Sequence, residues 1–320
     1  MLLFFLGGEV LKTVSLGKTG LNVSKMCFGT LTVGPLQANL PIPEGGAVIA
    51  SAIRQGICFF DTAELYQTYP YLLEGMKQSG KQDIVISSKT YAYTRELAEK
   101  AVEEARQALD RDYIDIFMLH EQESIFTLKG HMEALSYLYD CKAKGIIKAV
   151  GASMHHIAAV YGAAELGLDV IHPMLNLTGL GIVDGSRTEM ETAIQKAHEN
   201  GIGVFSMKAL GGGNLLQKAK DCLDYITALP YIDSVALGCK NTEEVTANVK
   251  YFETGEMLKI KLTDKKLHIE DYCDGCGQCV KRCGQHALEL KNGQAHCDSD
   301  RCVLCGYCSG VCHLFAIKVV

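Results

Sequence analysis

The chain has 320 residues, room for one large domain and one small one. Its 48% hydrophobic and 21% charged residues are ordinary for a globular protein, and a formal net charge of -6 excludes nucleic acid and anionic membrane surfaces as partners. The apolar stretch 2–6 has no basic residue before it and is far too short to span a bilayer, so residues 1–11 are expected to be a leader on a cytoplasmic chain.

Residues 12–24 alternate apolar and polar side chains around Gly17 and Gly20, which predicts a β-hairpin. Eight short apolar runs follow, at 26–29, 57–60, 83–87, 114–119, 147–150, 170–175, 203–207 and 234–237. Amphipathic stretches separate them, among them 94–110, 130–144, 186–200 and 242–252, and Thr94 has the position and side chain of a helix N-cap. Eight strand–helix alternations in a row predict an α/β fold, a (β/α)8 TIM barrel, over 12–255. An open doubly wound sheet is the competing topology. The turn after its first strand would be glycine-rich, whereas the chain reads Thr30-Leu31-Thr32-Val33-Gly34-Pro35 there.

Four ionisable residues stand at or just past the ends of consecutive runs. Asp61 and Tyr66 follow the second, Lys89 the third and His120 the fourth. The C-terminal ends of the strands are where this fold does its chemistry. Singly, each has a plain structural reading: a rim lysine, a packed tyrosine, a satisfied histidine. Together they form a set. A phenol is a poor acid at neutral pH, an adjacent ammonium lowers its pKa, a carboxylate holds that ammonium, and an imidazole orients a bound oxygen or passes a proton. Such a set suits protonation of a carbonyl oxygen as hydride arrives, or the reverse.

On the motifs FDTAELY at 60–66, SSKT at 87–90 and DIFMLH at 115–120, the segment 12–255 resembles the aldo-keto reductases. The resemblance implies Tyr66 as general acid/base, Lys89 with Asp61 tuning it, and His120 orienting the carbonyl. It implies NADP or NAD as hydride donor and a small-molecule carbonyl or alcohol as substrate. It also implies cofactor contacts at Gly29, Thr30, Ser153, His172, Met207, Lys208, Leu210, Gly238, Lys240, Asn241, Glu244 and Asn248. Several positions depart from the family: Met154 follows Ser153 where Asn is usual, His172 replaces Gln, Met207 replaces a stacking Tyr, and Glu244 stands where Arg is frequent. A carboxylate at 244 repels a 2′-phosphate, with Lys240 alone to compensate, which makes NADH a candidate beside NADPH. The plain alternative for 238–244 is a strand–helix turn with Thr242 as N-cap. Gly211-Gly212-Gly213 reads equally as a pyrophosphate cradle or a flexible turn. His155-His156 lacks a third ligand and is not expected to bind metal.

Fourteen cysteines divide the chain: five are scattered before residue 240 and nine lie between Cys273 and Cys312. Cys273, Cys276, Cys279 and Cys283 follow C-x2-C-x2-C-x3-C, and Cys302, Cys305, Cys308 and Cys312 repeat it at an offset of 29 residues. Three closely spaced cysteines suit three corners of an iron–sulfur cube, with the fourth of each run serving the other cluster. One [4Fe–4S] cluster is therefore expected on Cys273, Cys276, Cys279 and Cys312, and a second on Cys302, Cys305, Cys308 and Cys283. Gly284 and His313 replace the usual proline after the run, and Cys297 is left over. Two zinc sites of four thiolates each are the competing reading. The segment 266–320 resembles a bacterial two-cluster ferredoxin, which leaves 256–265, inside the lysine-bearing stretch 255–272, as linker.

Nicotinamide moves hydride and each cluster moves single electrons, so three readings stand. The barrel is an active reductase whose clusters exchange electrons with a redox partner protein. The clusters are structural or redox-sensing and turnover ignores them. The barrel binds nicotinamide but turns over little, and the protein is an electron-transfer or sensing partner.

Overall fold

A computed structural model describes residues 11–259, 266–314 and 316–319. The expected leader, apart from Leu11, and 260–265 of the expected linker lie outside the described residues. Strands β1 (Thr13–Ser15) and β2 (Asn22–Ser24) pair antiparallel as the expected hairpin. Eight parallel strands then close into a barrel: β3 (Met26–Gly29), β4 (Phe59–Asp61), β5 (Val85–Thr90), β6 (Ile114–Gln122), β7 (Ile147–Met154), β8 (Val170–Pro173), β9 (Gly203–Ser206) and β10 (Ser234–Leu237). Closure comes from β10, which pairs with β9 on one side and β3 on the other. The open-sheet alternative is thereby excluded.

Helices α1 (Ile42–Arg54), α2 (Tyr69–Ser79), α3 (Arg95–Ala108), α4 (Ile125–Gly130), α5 (Met132–Ala143), α6 (Ile157–Glu165), α7 (Arg187–Glu199), α8 (Ala219–Thr227) and α9 (Thr242–Thr254) surround the barrel. Two layers of apolar packing result. Outward strand residues such as Phe60, Phe117 and Val204 pack under the helices. Inward residues such as Cys27, Phe59, Ile116 and Phe205 meet Leu16, Leu21 and Val23 of the hairpin, which closes the N-terminal end of the barrel. Thr94 caps α3 as expected, accepting from the Leu97 N–H.

Three local expectations are corrected. The third, fourth and fifth strands run past their apolar cores, to Thr90, Gln122 and Met154, and carry Lys89 and His120 near their ends. The connection 121–128, expected as a short loop, contains most of α4, which forms because Ser124 and Thr127 cap each other reciprocally. The N-cap of α9 is Asn241 instead of Thr242; its side chain accepts from the Glu244 N–H.

The cysteine-rich segment packs across the C-terminal mouth of the barrel. It contains β11 (Leu267–Ile269) paired antiparallel with β14 (Ile317–Val319), the hairpin β12 (Leu288–Lys291) and β13 (Gln294–Cys297), and the short helix α10 (Gln278–Arg282). The 29-residue repeat is visible in its backbone. Gly277 and Gly306 are both left-handed, at φ 76° and 80°, and so are Gly275 and Leu304, at 67° and 48°. The segment is seated by the 208–214 turn: Asn214 Nδ2 donates to the Cys302 carbonyl at 2.6 Å, and Gly212 lies directly under Val303.

A Cβ on Gly212 would lie 1.9 Å from the Val303 carbonyl oxygen, at a backbone φ of 72°. Gly80 has a similar φ of 69° with nothing within 4 Å. Gly212→Ala is expected to weaken docking of the segment by about 1–3 kcal/mol beyond the loss in Gly80→Ala. Hydrogen exchange of residues 302–308 reads the difference; equal protection in the two variants refutes it.

Candidate active site

Strand parity gathers the predicted groups. Alternate residues of a barrel strand face inward. Phe59, Val85, Met118, Ala149 and Val170 belong to the inner cluster, so on the same parity Asp61, Lys89, His120, Ser153 and His172 point into the mouth. Lys89 Nζ donates to Asp61 Oδ1 at 2.7 Å, to Asp61 Oδ2 at 2.8 Å and to the Thr62 carbonyl at 2.6 Å. The ammonium thus has its three protons used by one carboxylate and one carbonyl, both buried.

Tyr66 ends a 3-10 turn, Glu64–Tyr66, which Gln67 closes in the left-handed region at φ 56°. That turn lays the ring 4.7 Å from Lys89 Nζ and edge-on to His120, with centroids 5.5 Å apart. On its other side His120 stacks on Tyr91 at 4.5 Å. A bulge follows His120: the β6–β7 register shifts between Leu119 and Gln122, and Glu121 takes φ 49° while its N–H donates to Ser153 Oγ at 2.9 Å. All four predicted groups therefore meet.

Burial raises the Tyr66 pKa well above the ordinary phenol range, and the Asp61 charge adds to it. The expected lowering by Lys89 is reversed, because Asp61 neutralises the ammonium within the same site and removal from water dominates. The result is a phenol held protonated, the form a general acid needs. Burial lowers Lys89, opposed by Asp61. Burial, and then the charge of Lys89, holds His120 far below the usual imidazole range, so its ring is neutral.

The cofactor positions divide. Ser153 accepts from Glu121, leaving its hydroxyl proton to donate. His172 is neutral and uses Nδ1 on the Phe205 carbonyl at 2.6 Å, which leaves Nε2 as an acceptor 3.7 Å from Asp61 Oδ2. One donor and one acceptor, side by side on β7 and β8, fit a carboxamide. Met207 and Leu210 are half-buried beside Lys208, which takes φ 60°. By contrast, Thr30 is spent on structure. Its Oγ1 donates to the Asp61 carbonyl and joins a hydroxyl chain with Thr68 and Thr62. Gly29 and Gly238 pack close to one another, and a Cβ on Gly238 would strike Thr32. Glu244 accepts from the Lys240 N–H, Asn241 caps α9, and Asn248 donates to Cys239 Sγ, so the 238–248 region holds itself together. In the triple glycine, the Gly211 and Gly213 N–H groups are taken by Lys208 and Leu210. The flexible-turn reading is replaced there by a folded turn under Val303.

Cys273, Cys276, Cys279 and Cys312 line one small cavity. Cys305, Cys302 and Cys283 lie near Cys308, and so does Cys279 of the first run. The Ala287 and Ala316 N–H groups, one repeat apart, donate to Cys283 Sγ at 3.4 Å and Cys312 Sγ at 3.2 Å. None of the fourteen cysteines forms a disulfide. Cys297, expected to stand aside, lies against Cys302. Asp274 and His313 form a rim beside Cys276.

Sequence reasoning missed the residues through which this segment reaches the mouth. Tyr307, between Cys305 and Cys308, places its phenol 3.4 Å from Tyr66 Oη and 3.3 Å from His120 Nε2. Arg282 lies over the rings of Tyr91 and Tyr307, donates to Tyr91 Oη and approaches Glu121, which in turn accepts from Tyr91. Gln285 bonds His155 Nδ1 at 2.7 Å, so His155 is a docking residue.

Burial pushes both His155 and His172 down to about 4. Their folded pKa values lie below the unfolded value near ~6.5, so the unfolded chain binds more protons in between. Stability is full above that range and falls as pH drops toward 4, by about 1.4 kcal/mol per pH unit for each histidine. His172→Gln is expected to flatten the acid limb of the urea midpoint against pH by about that slope; an unchanged limb refutes the assignment.

The match of the aldo/keto reductase family model covers residues 25–222, ending before β10 and the cysteine-rich segment. A probable voltage-gated potassium channel subunit beta from Arabidopsis thaliana is 28% identical over 223 residues, covering 64% of this chain and 65% of that protein. L-galactose dehydrogenase from the same plant is 23% identical, covering 73% and 86%. Aldo-keto reductase YhdN from Bacillus subtilis is 27% identical, covering 51% and 53%. The matched part thus spans just under two thirds of the first relative and about half of the third. Among solved structures, the aldo-keto reductase AKR11C1 from Bacillus halodurans shares the fold at a TM-score of 0.64 and 20% identity, covering 78% of this chain and 93% of that one. With a closed barrel, and a family match over more than half its length, the chain belongs to the aldo/keto reductase family.

Proposed function

We propose that the barrel interconverts a carbonyl and an alcohol, with Tyr66 as the proton donor and acceptor and a bound nicotinamide supplying or receiving hydride. The observation that carries this reading is the meeting of Tyr66 with a Lys89–Asp61 ion pair and a neutral His120 in a site of almost no solvent exposure. His120 Nε2 orients the carbonyl oxygen, and Tyr66, held protonated, donates to that oxygen as hydride reaches carbon. Lys89, held in place by Asp61, is the cation that faces the phenolate that remains. Ser153 and His172 hold the carboxamide. Glu244, a carboxylate at the adenosine end, favours NADH over NADPH.

We further propose that 266–320 is a module carrying two [4Fe–4S] clusters on the two cysteine sets. Its polarity suggests a route for electrons. Cys276 is exposed, where a partner protein docks, whereas Cys305 packs with Tyr66 and Tyr307. A second reading, a barrel that turns over little, draws support from the 7% exposure of Tyr66 and 2% of His120. No helix among the described residues is long and apolar enough to cross a membrane.

Tyr66→Phe is expected to lower kcat for carbonyl reduction by about a hundred- to ten-thousandfold, with nicotinamide affinity retained. An unchanged rate refutes the assignment. Anaerobically purified protein is expected to contain iron and acid-labile sulfide, half of each being lost in Cys276→Ser through loss of one cluster. Zinc without sulfide refutes the cluster reading.

A further inference from the structure

We propose that Tyr307 is the gate of the carbonyl site: its phenol oxygen holds the place of the substrate oxygen, and the 305–308 loop withdraws to admit substrate. The proposal rests on the reading of Tyr66 and His120 as the pair that binds that oxygen. Tyr307 Oη lies 3.4 Å from Tyr66 Oη and 3.3 Å from His120 Nε2. A carbonyl oxygen poised for protonation must lie within hydrogen-bond reach of the same two atoms. Substrate and Tyr307 therefore compete for one position.

The surroundings fit a gate better than a packing contact. Tyr307 is 8% exposed and the groups behind it less so. On its other side the same ring lines a cavity of about 810 Å³ between the 32–39 turn and the cysteine module. That volume suits a small organic ligand. Leu36, Leu65 and Val311 give the chamber an apolar wall, and Lys240, Arg282 and Lys318 a basic one. Tyr307 lines this chamber and also touches Tyr66 and His120, neither of which borders the chamber.

The loop is seated in a way that permits movement. Gln37 Nε2 donates to the Leu304 carbonyl at 3.2 Å, and Asn214 to that of Cys302. Gly306, at φ 80°, lets the backbone pass close under the Leu36 carbonyl. Polar side chains bonding carbonyls near a surface open at low cost compared with strand pairing in the barrel. Cys305 and Cys308 flank Tyr307, so ligation at those sulfurs sets the shape of the loop that carries the gate.

The test needs no catalysis. Full-length protein with its metal in place is treated anaerobically with diethyl pyrocarbonate, and carbethoxylation of His120 is timed by peptide mass spectrometry, with His131 as internal reference. If the open form is a minor state, removing the gate raises the rate at His120 by at least about tenfold. Tyr307→Ala and Tyr307→Leu are both expected to do so. Tyr307→Phe, which keeps the ring, is expected to label as slowly as the unaltered chain. An unchanged rate at His120 in the Ala and Leu variants, with His131 unaffected, overturns the gate. Equal acceleration in the Phe variant overturns it as well. Because labelling reads access alone, a failure of Tyr66 as acid would appear in turnover of Tyr66→Phe and leave this result intact.

Discussion

The structure depends on a charge pair that the barrel interior alone can sustain. Lys89 and Asp61 face each other at 2.7 and 2.8 Å with almost no exposure. Each charge alone would cost several kcal/mol to bury, and their attraction offsets that cost only with good geometry and full hydrogen bonding. The Thr62 carbonyl takes the third ammonium proton, and the Thr30–Thr68–Thr62 hydroxyls fix the backbone that presents it. Pairing has a chemical consequence. An unpaired lysine would pull the neighbouring phenol toward phenolate, whereas a paired one leaves burial in control and keeps Tyr66 protonated.

Much of this was legible in the chain because strand geometry has a period of two. Once Asp61, Lys89 and His120 are placed near the ends of consecutive strands, parity alone decides that they face one another. The barrel was legible from eight short apolar runs alternating with amphipathic stretches, and from the lack of a glycine-rich turn after the first run. What was not legible depended on side chains closing on their own backbone. Asn241 outcompetes Thr242 as a cap because its carbonyl reaches the Glu244 N–H, and Ser124 with Thr127 turns an expected loop into α4. Glu244, expected to meet a ligand, meets the Lys240 N–H. The sign of the Tyr66 shift was also beyond reach, since it follows from how deeply the mouth is covered.

Covering the mouth is costly in backbone terms. Gln67, Glu121, Lys208 and Leu304 all adopt positive φ without being glycine, and all four border the mouth or the loop that covers it. Such conformations persist where the surroundings over-determine them, as at ligand clamps and switches. Here they come from both sides of one seam, three from the barrel and one from the cysteine loop.

The docking residues look invisible in sequence until the duplication is taken seriously. A repeat of 29 residues maps Gln278 onto Tyr307, Arg282 onto Val311 and Gln285 onto Leu314. The eight run cysteines, the Gly277–Gly306 pair and the Ala-Leu or Ala-Ile pairs are kept between the halves, because each half must build the same loop. A symmetric module has no reason to vary the remaining positions in polarity. It varies them where one half meets the barrel and the other does not. Tyr307 of the second half reaches Tyr66, and Arg282 and Gln285 of the first reach Tyr91 and His155. Their counterparts differ: Val311 and Leu314 are each 37% exposed, and Gln278 lines the cavity of the first cysteine set. In a duplicated module, the positions where the copies disagree mark the face that has acquired a partner, and in this chain that partner is the chain's own active site.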